Sequence, residues 1–357
     1  VFIIAVGFAL HLLMPDKALS ISERRKLAQA PSMSLTSMLS GKFSTAFDDY
    51  VLDQFPGRDS FRTLKAIVQY YVLRQKDNNG IFLAEGNIGK LEYPLSESSV
   101  LRAAQKICSL REQYFPDANV YLSLVPDKSY FLAAQNGYPA LDYEKMLDLL
   151  QENTEGVTYI DIFDTLSADK YYTTDAHWRQ ECLHDTALRL AEGLGVEDAF
   201  AWEYEAHTLP DFYGVYYGQA ALPFPPDTLT YLTSATTDGA QVYNIETQGT
   251  TGVYDLGKLT DGKSMDMYDV FLSGAAAVLT VTNPNASEAA KGRELILFRD
   301  SFGSSIAPLL IDCYETITLV DIRYIASEFL SQYVDFHGQD VLFLYSTTII
   351  NNSAMLK

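Results

Sequence analysis

Two periods of apolar residues alternate along the chain from about residue 78 to its end. Short apolar runs typical of buried strands occur at 118–125, 157–160, 294–298, 316–320 and 340–345. Between them, apolar residues recur every three or four positions, which predicts helices at 99–114, 142–152, 176–194, 304–313 and 326–333. Strands and helices in alternation pack as a parallel sheet covered by helices, so the pattern predicts an α/β fold with a mainly parallel sheet.

Two stretches depart from this alternation. Residues from about 200 to 292 are rich in Tyr, Pro, Gly and Thr and have no helical period, which predicts a β-rich insertion that forms a face or a lid. Residues 19–77 carry apolar positions at helical spacing, with a Ser-x-x-Glu capping box at Ser20 and Glu23 and two helices around the FPGRD sequence. The chain therefore divides into a helical segment at 19–77 and a body at 78–357.

The first fourteen residues, VFIIAVGFALHLLM, are apolar except for one His. The run is shorter than the ~20 residues that a membrane span needs. We interpret 1–18 as a truncated membrane anchor and 19–77 as a juxtamembrane segment; a buried N-terminal helix is the alternative. The sequence does not indicate the orientation of the anchor.

The charge and the cysteine content of the chain limit the classes of partner and cofactor that it can bind. The 357 residues include 26 Lys and Arg and 46 Asp and Glu, which gives a net charge of −20. Such a surface repels phosphates, so nucleic acid and anionic lipid are poor partners. The cysteines at positions 108, 182 and 313 have neither zinc-site nor disulfide-framework spacing, and no His, Cys and carboxylate cluster predicts a metal, so we expect no metal or other cofactor.

A candidate nucleophile lies in the sequence ELILFRDSFGSS. Ser301 directly follows a predicted buried strand and precedes Gly303 and a predicted helix, a place where a side chain is exposed above a parallel sheet. The sequence lacks the G-x-S-x-G pattern of ordinary α/β-hydrolases. The alternative is that Ser301 only caps the helix.

A serine nucleophile needs a base and a group that orients the base. Asp175 and His177 lie two positions apart just before a predicted helix, and Asp335 and His337 have the same spacing. Spacing alone does not choose between these pairs. The other histidines lie in the predicted anchor, in a predicted helix and in the insertion: His11, His184 and His207.

Four ordered sequence blocks resemble the bacterial DHHW family. They are DQFPGRDSF at 53–61, TDAHW at 174–178, RDSFGSSIAPLL at 299–310 and VDIRYI at 320–325. Ala176 stands where the family usually has its first His. The family is similar to the alginate O-acetylation proteins of the SGNH hydrolase type. The resemblance covers nearly the whole chain from about residue 22.

The resemblance implies an SGNH hydrolase-like, permuted flavodoxin-like fold with Ser301 as nucleophile, His177 as general base and Asp175 as its orienter. It implies a serine-dependent O-acetyltransferase or acetylesterase, anchored in the cell membrane with an extracytoplasmic catalytic domain. Its partners would be a polysaccharide substrate and a membrane protein that donates acetyl groups. A non-catalytic carbohydrate-binding scaffold is one alternative, and a lipid or peptide esterase that uses His337 with Asp335 is another.

Three further residues follow predicted strands and are candidate substrate-binding residues. Arg323 offers a guanidinium for a hydroxyl, carbonyl or carboxylate, Tyr345 offers a hydroxyl, and Lys128 offers an amine that lines a cleft. The corresponding alternatives are a surface ion pair, a packed tyrosine and a solvated lysine.

Overall fold

The computed structural model describes residues 14–260 and 265–357. Residues 1–13, the main part of the predicted anchor, lie outside the described residues. Among the helices of the described ranges, none combines the length and apolar character required to cross a bilayer.

The central layer is a sheet of eight strands. The strands of the described residues are β1 (Leu19–Ser20), β2 (Arg25–Lys26), β3 (Asp77–Asn78), β4 (Ile81–Ala84), β5 (Asn87–Lys90), β6 (Val120–Val125), β7 (Thr158–Tyr159), β8 (Glu205–Phe212), β9 (Asp227–Thr233), β10 (Gln241–Asn244), β11 (Gly249–Thr251), β12 (Val278–Thr282), β13 (Glu294–Arg299), β14 (Thr316–Val320) and β15 (Asp340–Ser346). The sheet has the order β11-β10-β12-β14-β13-β15-β6-β7. Its pairs from β14 to β7 are parallel, which confirms the predicted mainly parallel sheet.

Helices cover both faces of this sheet. The α-helices are α1 (Leu35–Leu39), α2 (Lys42–Gln54), α3 (Arg58–Ile67), α4 (Glu97–Tyr114), α5 (Lys128–Leu132), α6 (Tyr143–Glu152), α7 (His184–Leu194), α8 (Val215–Ala220), α9 (Ala235–Gly239), α10 (Gly257–Thr260), α11 (Phe302–Ile306) and α12 (Thr347–Asn351). Successive side chains of β15 alternate between two cores: Leu342 and Leu344 pack towards α7 and α11, whereas Val341 and Phe343 pack towards α4 and α6. The mixed α/β architecture is as the sequence predicts.

The prediction of one separate β-rich insertion is wrong, because the strands of this stretch are divided between two sheets. Strands β10, β11 and β12 extend the central sheet itself, because β12 pairs antiparallel with β14 and β10 pairs with β12. Among the described residues of this stretch, only the β8–β9 hairpin forms a separate sheet. The added strands cover the edge of β14, which would otherwise present unpaired backbone groups.

Several predicted helices differ from the observed elements. Residues 19–26 form a short hairpin, and the Ser20 hydroxyl accepts the Glu23 amide (3.3 Å) within its turn instead of capping a helix. Residues 176–183 form a loop, so the helix predicted at 176–194 begins at His184. The segment after α11 is a 3-10 helix, Ala307–Cys313, since Pro308 cannot continue the α-helical bonding. Residues Ser327–Gln332 are also a 3-10 helix, whereas α2 and α3 confirm the helices around FPGRD.

Candidate active site

Ser301 lies at the carboxyl edge of the sheet, two residues after the end of β13. Although Ser301 is the residue before α11, its side chain makes no capping hydrogen bond to the helix. Asp300 fixes the turn: its carboxylate accepts the amide of Phe302 (3.0 Å) and the amide of Ser346 at the end of β15 (2.8 Å). The Ser301 hydroxyl is therefore held at the sheet edge and is free of the helix-capping role.

Glycine is required at position 303 for the same turn. A Cβ built there would lie 2.5 Å from the Cβ of Arg299, closer than real contacts allow. Gly303 thus permits α11 to begin directly over the end of β13. We call residues 299–303 the serine turn.

A chain of short hydrogen bonds joins Ser301 to the predicted Asp–His pair. The His177 Nε2 atom lies 2.7 Å from the Ser301 Oγ, and the His177 Nδ1 atom lies 2.5 Å from the Asp175 Oδ1. The carboxylate can only accept a proton, so Nδ1 carries the hydrogen and Nε2 is left to accept the serine proton. An imidazole oriented in this way can act as a base toward the hydroxyl.

Residues 171–183, which we call the Asp–His loop, have no long regular element and are held by contacts from distant segments. Asp227 accepts the amides of Thr173 (2.9 Å) and Thr174 (2.8 Å) and the Thr174 hydroxyl (2.6 Å). The Thr174 hydroxyl in turn accepts the Gly214 amide (2.8 Å). A Cβ at Gly214 would lie 2.3 Å from the Thr174 carbonyl oxygen, so this close approach requires glycine.

The second carboxylate oxygen of Asp175 faces a cation that the sequence analysis missed. Asp175 is fully buried, and its Oδ2 accepts the Val215 amide (2.7 Å) and lies 3.6 Å from the Arg24 Nη1. Arg24 belongs to the turn of the β1–β2 hairpin; it also pairs with Asp266 (2.6 Å) and donates to the Tyr213 carbonyl. Burial opposes ionisation of Asp175, but His177, Arg24 and the Val215 amide together hold its pKa well below the usual range.

Aromatic packing fixes the plane of the imidazole. The His177 ring stacks on Tyr268, with ring centroids 3.9 Å apart and an interplanar angle of 13°. The Tyr268 hydroxyl donates to the Ser305 Oγ (2.6 Å), which also accepts the Trp178 indole N–H (2.8 Å). Because Ser305 belongs to α11, these bonds join the Asp–His loop to the helix that follows Ser301. The sequence offers no signal that selects Tyr268 among its 24 tyrosines.

Lys128 does not line a cleft. Its side chain is 2% exposed, and its amine donates to the carbonyl oxygens of Ile88 (2.9 Å), Tyr172 (2.5 Å) and Thr173 (3.1 Å). Burial lowers the pKa of Lys128 to about 7. The lysine therefore ties the Asp–His loop to β5, and the predicted substrate contact does not fit its position.

The other two candidate substrate-binding residues also have internal positions or partners: Tyr345 is buried, and Arg323 pairs with Asp321. The hydroxyl of Tyr345 is fully buried without a hydrogen-bond partner among the described residues, so no substrate reaches it in this structure. Arg323 donates to both oxygens of Asp321 (2.8 and 2.6 Å) and keeps 20% of its side chain exposed. Arg323 follows β14 at the same sheet edge as Ser301, and its substrate contact stays a prediction.

The alternative pair, Asp335 and His337, lies at the opposite edge of the sheet. His337 precedes β15 and its Nε2 lies 3.2 Å from Glu294, the first residue of β13. Ser301 follows the far end of that strand, about 20 Å away at ~3.3 Å per residue. The structure therefore excludes His337 as the partner of Ser301.

Residues 145–320 match the model of the DHHW protein family. This part of the chain resembles the DHHW family. The matched range contains the Asp–His loop and the serine turn, whereas Arg24 and the β1–β2 hairpin lie outside it. Comparison with curated protein sequences finds no significant match.

Solved structures share the fold of this chain. A DHHW family protein from Eubacterium siraeum superposes with a TM-score of 0.60 at 23% identity, covering 78% of this chain and 95% of that chain. PatB1 of Bacillus cereus, in a structure with a sulfonyl adduct, has a TM-score of 0.57 at 16% identity, covering 76% of this chain and 95% of that one. At these identities the likeness establishes the fold alone.

Proposed function

We propose that this protein is a serine-dependent O-acetyltransferase or acetylesterase with an SGNH hydrolase-like fold. The observation that carries the proposal is the unbroken chain of hydrogen bonds from Asp175 through His177 to Ser301. A merely structural serine does not need a buried carboxylate behind the imidazole that it contacts. The proposal also includes an N-terminal membrane anchor and an extracytoplasmic location, on the strength of the apolar run at 1–14.

In this mechanism the Ser301 Oγ attacks the carbonyl carbon of an acetyl ester while His177 Nε2 takes the hydroxyl proton. The tetrahedral intermediate collapses, the ester's alcohol oxygen leaves with the proton from His177, and the acetyl group remains on Ser301. A sugar hydroxyl or water then gives its proton to His177, attacks the acetyl group and restores the free serine. Asp175 remains ionised throughout, holds the Nδ1 hydrogen and stabilises the imidazolium.

The polysaccharide substrate rests on the resemblance of four sequence blocks to the DHHW family, which is similar to proteins of alginate O-acetylation. A glycan offers many hydroxyl groups, any of which can accept an acetyl group from an acyl-enzyme. The acidic surface of the chain, with its net charge of −20, suits an uncharged acceptor better than an anionic one. Whether water or a sugar is the better acceptor decides between esterase and transferase.

The first test is hydrolysis of p-nitrophenyl acetate by the full chain. We expect Ser301→Ala and His177→Ala each to lower the rate by about a thousandfold or more, since members of such a unit act together. His337→Ala and His184→Ala are the controls and should retain the activity. Activity that survives Ser301→Ala would refute the mechanism.

A second, independent readout uses covalent labelling. A sulfonyl fluoride reacts with an activated serine hydroxyl, forming a sulfonate ester and releasing fluoride. Mass spectrometry should find the label on Ser301 in the native chain and on no serine turn peptide in Ser301→Ala or His177→Ala. A chain that binds polysaccharide but neither hydrolyses esters nor takes the label would be a carbohydrate-binding scaffold.

A further inference from the structure

The N-terminal segment exposes most of the apolar side chains that the structure leaves on its surface. Of the 25 large apolar residues that are exposed among the described residues, 15 lie between Met14 and Leu73. Helix α2 has no buried residue, and α3 buries only Ala66. Two ordinary helices of a globular protein would each bury an apolar stripe, so this segment has a face that the described residues leave uncovered.

The exposed residues of α3 and the π-helical turn that continues it, Val68–Val72, share one side. Phe61 is 50% exposed, Leu64 is 55%, Ile67 is 38% and Tyr71 is 64%. Their spacing of three or four residues places them along one face of the helix. On α1, the exposed apolar residues are Leu35, Met38 and Leu39. We call the exposed apolar residues of 33–73 the apolar helical surface.

The charge of this segment is opposite to that of the body. Residues 1–75 contain 9 Lys and Arg and 6 Asp and Glu, a net of 9 − 6 = +3, and the rest of the chain has 17 − 40 = −23. The exposed cations Lys42, Lys65 and Arg74 lie on or beside α2 and α3. Charges farther apart than about 8 Å are screened at physiological salt, so a partner at this surface meets the local positive charge. The net charge of −20 therefore makes anionic lipid a poor partner for the body, but it does not exclude binding of anionic lipid by this segment.

The described chain begins at the junction of α2 and α3, directly after the apolar N-terminal run of the sequence. Met14 and Pro15, where the described chain begins, line a cavity of about 740 Å³ together with Phe55 and Pro56, between α2 and α3. An uncovered apolar face, a local positive charge and an apolar run that ends beside them are the properties of a segment that lies on a phospholipid surface.

We propose that the apolar helical surface docks on a phospholipid membrane and that anionic headgroups contact the neighbouring side chains of Lys42, Lys65 and Arg74. This contact is additional to any anchoring by residues 1–14, because it is formed by helices α1 to α3. It would fix the orientation of the body relative to the bilayer rather than only tether it. A second copy of the chain is the rival occupant of the same surface.

Hydrogen–deuterium exchange of the full chain, with and without phosphatidylcholine vesicles that contain phosphatidylglycerol, tests the docking directly. We expect amide exchange in residues 58–73 to slow at least severalfold on vesicles, while residues 327–337 remain unchanged. The readout is local, so binding through residues 1–14 alone does not reproduce it. It also needs no catalytic activity, so it is independent of the proposed function.

Substitutions on matched exposed positions complete the experiment. The double variant Leu64→Glu/Tyr71→Glu should lose the protection of 58–73, whereas Phe329→Glu/Tyr333→Glu, which changes two exposed aromatic residues of the body, should keep it. Circular dichroism checks that both variants fold. The proposal is overturned if vesicles leave 58–73 unprotected, if the first variant keeps its protection, or if protection appears without vesicles and rises with protein concentration.

Discussion

The serine turn and the Asp–His loop meet at one hydrogen bond but are held in place by different means. The serine turn depends on neighbours in the central sheet: β13 leads into it, and Asp300 bonds it to the end of β15. The Asp–His loop contains no α-helix or named strand of its own and depends on contacts from five other parts of the chain, made by Arg24, Lys128, Val215, Asp227 and Tyr268.

This difference indicates where each half is vulnerable. The sheet holds the serine turn against the core, so moving Ser301 would require disrupting the strands themselves. The imidazole is held by several separate contacts, and each can be removed without unfolding the sheet. We therefore expect substitutions around the loop to lower activity in graded steps, in the order of how directly each contact reaches Asp175 and His177.

The largest expected effect is that of Asp175→Asn. The amide offers Nδ1 a weaker, uncharged partner and permits the wrong tautomer of His177, which should lower kcat by about a thousandfold to ten-thousandfold with little change in melting temperature. Asp185→Asn is the matched control, because Asp185 also bonds a histidine, His184 (2.8 Å), but at the exposed surface. Ester hydrolysis measured for both variants checks the prediction. Equal activities would show that the buried pair has no role in the reaction.

Lys128→Met should have the next largest effect, and its main effect should be on the free energy of unfolding. The substitution removes the donor from three buried carbonyl oxygens, at a cost of about 3 kcal/mol in the free energy of unfolding. It should also loosen the Asp–His loop while the sheet stays folded. Urea denaturation monitored by circular dichroism gives the stability, and exchange of amides in residues 171–183 gives the local effect.

The pH dependence of stability distinguishes the effect of the Lys128 charge from a general effect on packing. Its pKa is lowered to about 7 in the folded chain, whereas the unfolded chain has the ordinary lysine value near 10.5, so unfolding takes up a proton between these values. The free energy of unfolding contributed by this group therefore rises as the pH is raised above 7. Between pH 7 and 9 the native chain should gain more stability than Lys128→Met. Parallel curves for the two chains would contradict the assignment.

Arg24→Ala should have an intermediate effect, confined to activity. Without the guanidinium, Asp175 loses a nearby positive charge and the β1–β2 hairpin loses its contact with the site, and we expect kcat/KM to fall about tenfold, equivalent to about 1.4 kcal/mol. Arg25→Ala is the control in the same hairpin, because Arg25 pairs with Asp53 instead (2.5 Å). Arg24→Lys should recover part of the loss if the charge matters. A truncation that removes 14–29 should behave like Arg24→Ala or worse.

The sequence predicts the serine turn better than the loop, for a physical reason. A buried strand, a Gly and a helix are local patterns, and they place Ser301 at the sheet edge without knowledge of the rest of the chain. Asp175 and His177 could be proposed because they lie two positions apart, although spacing alone left His337 as a rival until strand direction separated the two. The resemblance to the DHHW family, not the periodicity, favours the pair that lies beside Ser301 in the structure.

The contacts that hold the loop could not be predicted because they are long-range. Arg24 lies among three consecutive basic residues, and nothing in their order selects the one that reaches Asp175. The sequence shows that Lys128 follows a predicted strand, but its burial depends on how β5 and the loop fold over it. Strands β10 to β12 lie in a stretch without regular periodicity, which predicts an insertion, and only the pairing of β12 with β14 shows that they belong to the sheet.

The smallest expected effect is that of Tyr268→Phe, which separates the two functions of this side chain. Phenylalanine keeps a ring stacked on His177 but removes the hydroxyl that bonds Ser305, so we expect a loss of about 1 kcal/mol in stability and a change of only a few fold in kcat. Tyr268→Ala removes the stack as well and should lower kcat much further, since His177 then has no aromatic ring on that face. Ester hydrolysis and urea denaturation of both variants measure the two losses. If the two variants have the same kcat, the stacking does not orient the imidazole, and the hydrogen bonds to Asp175 and Ser301 alone determine its position.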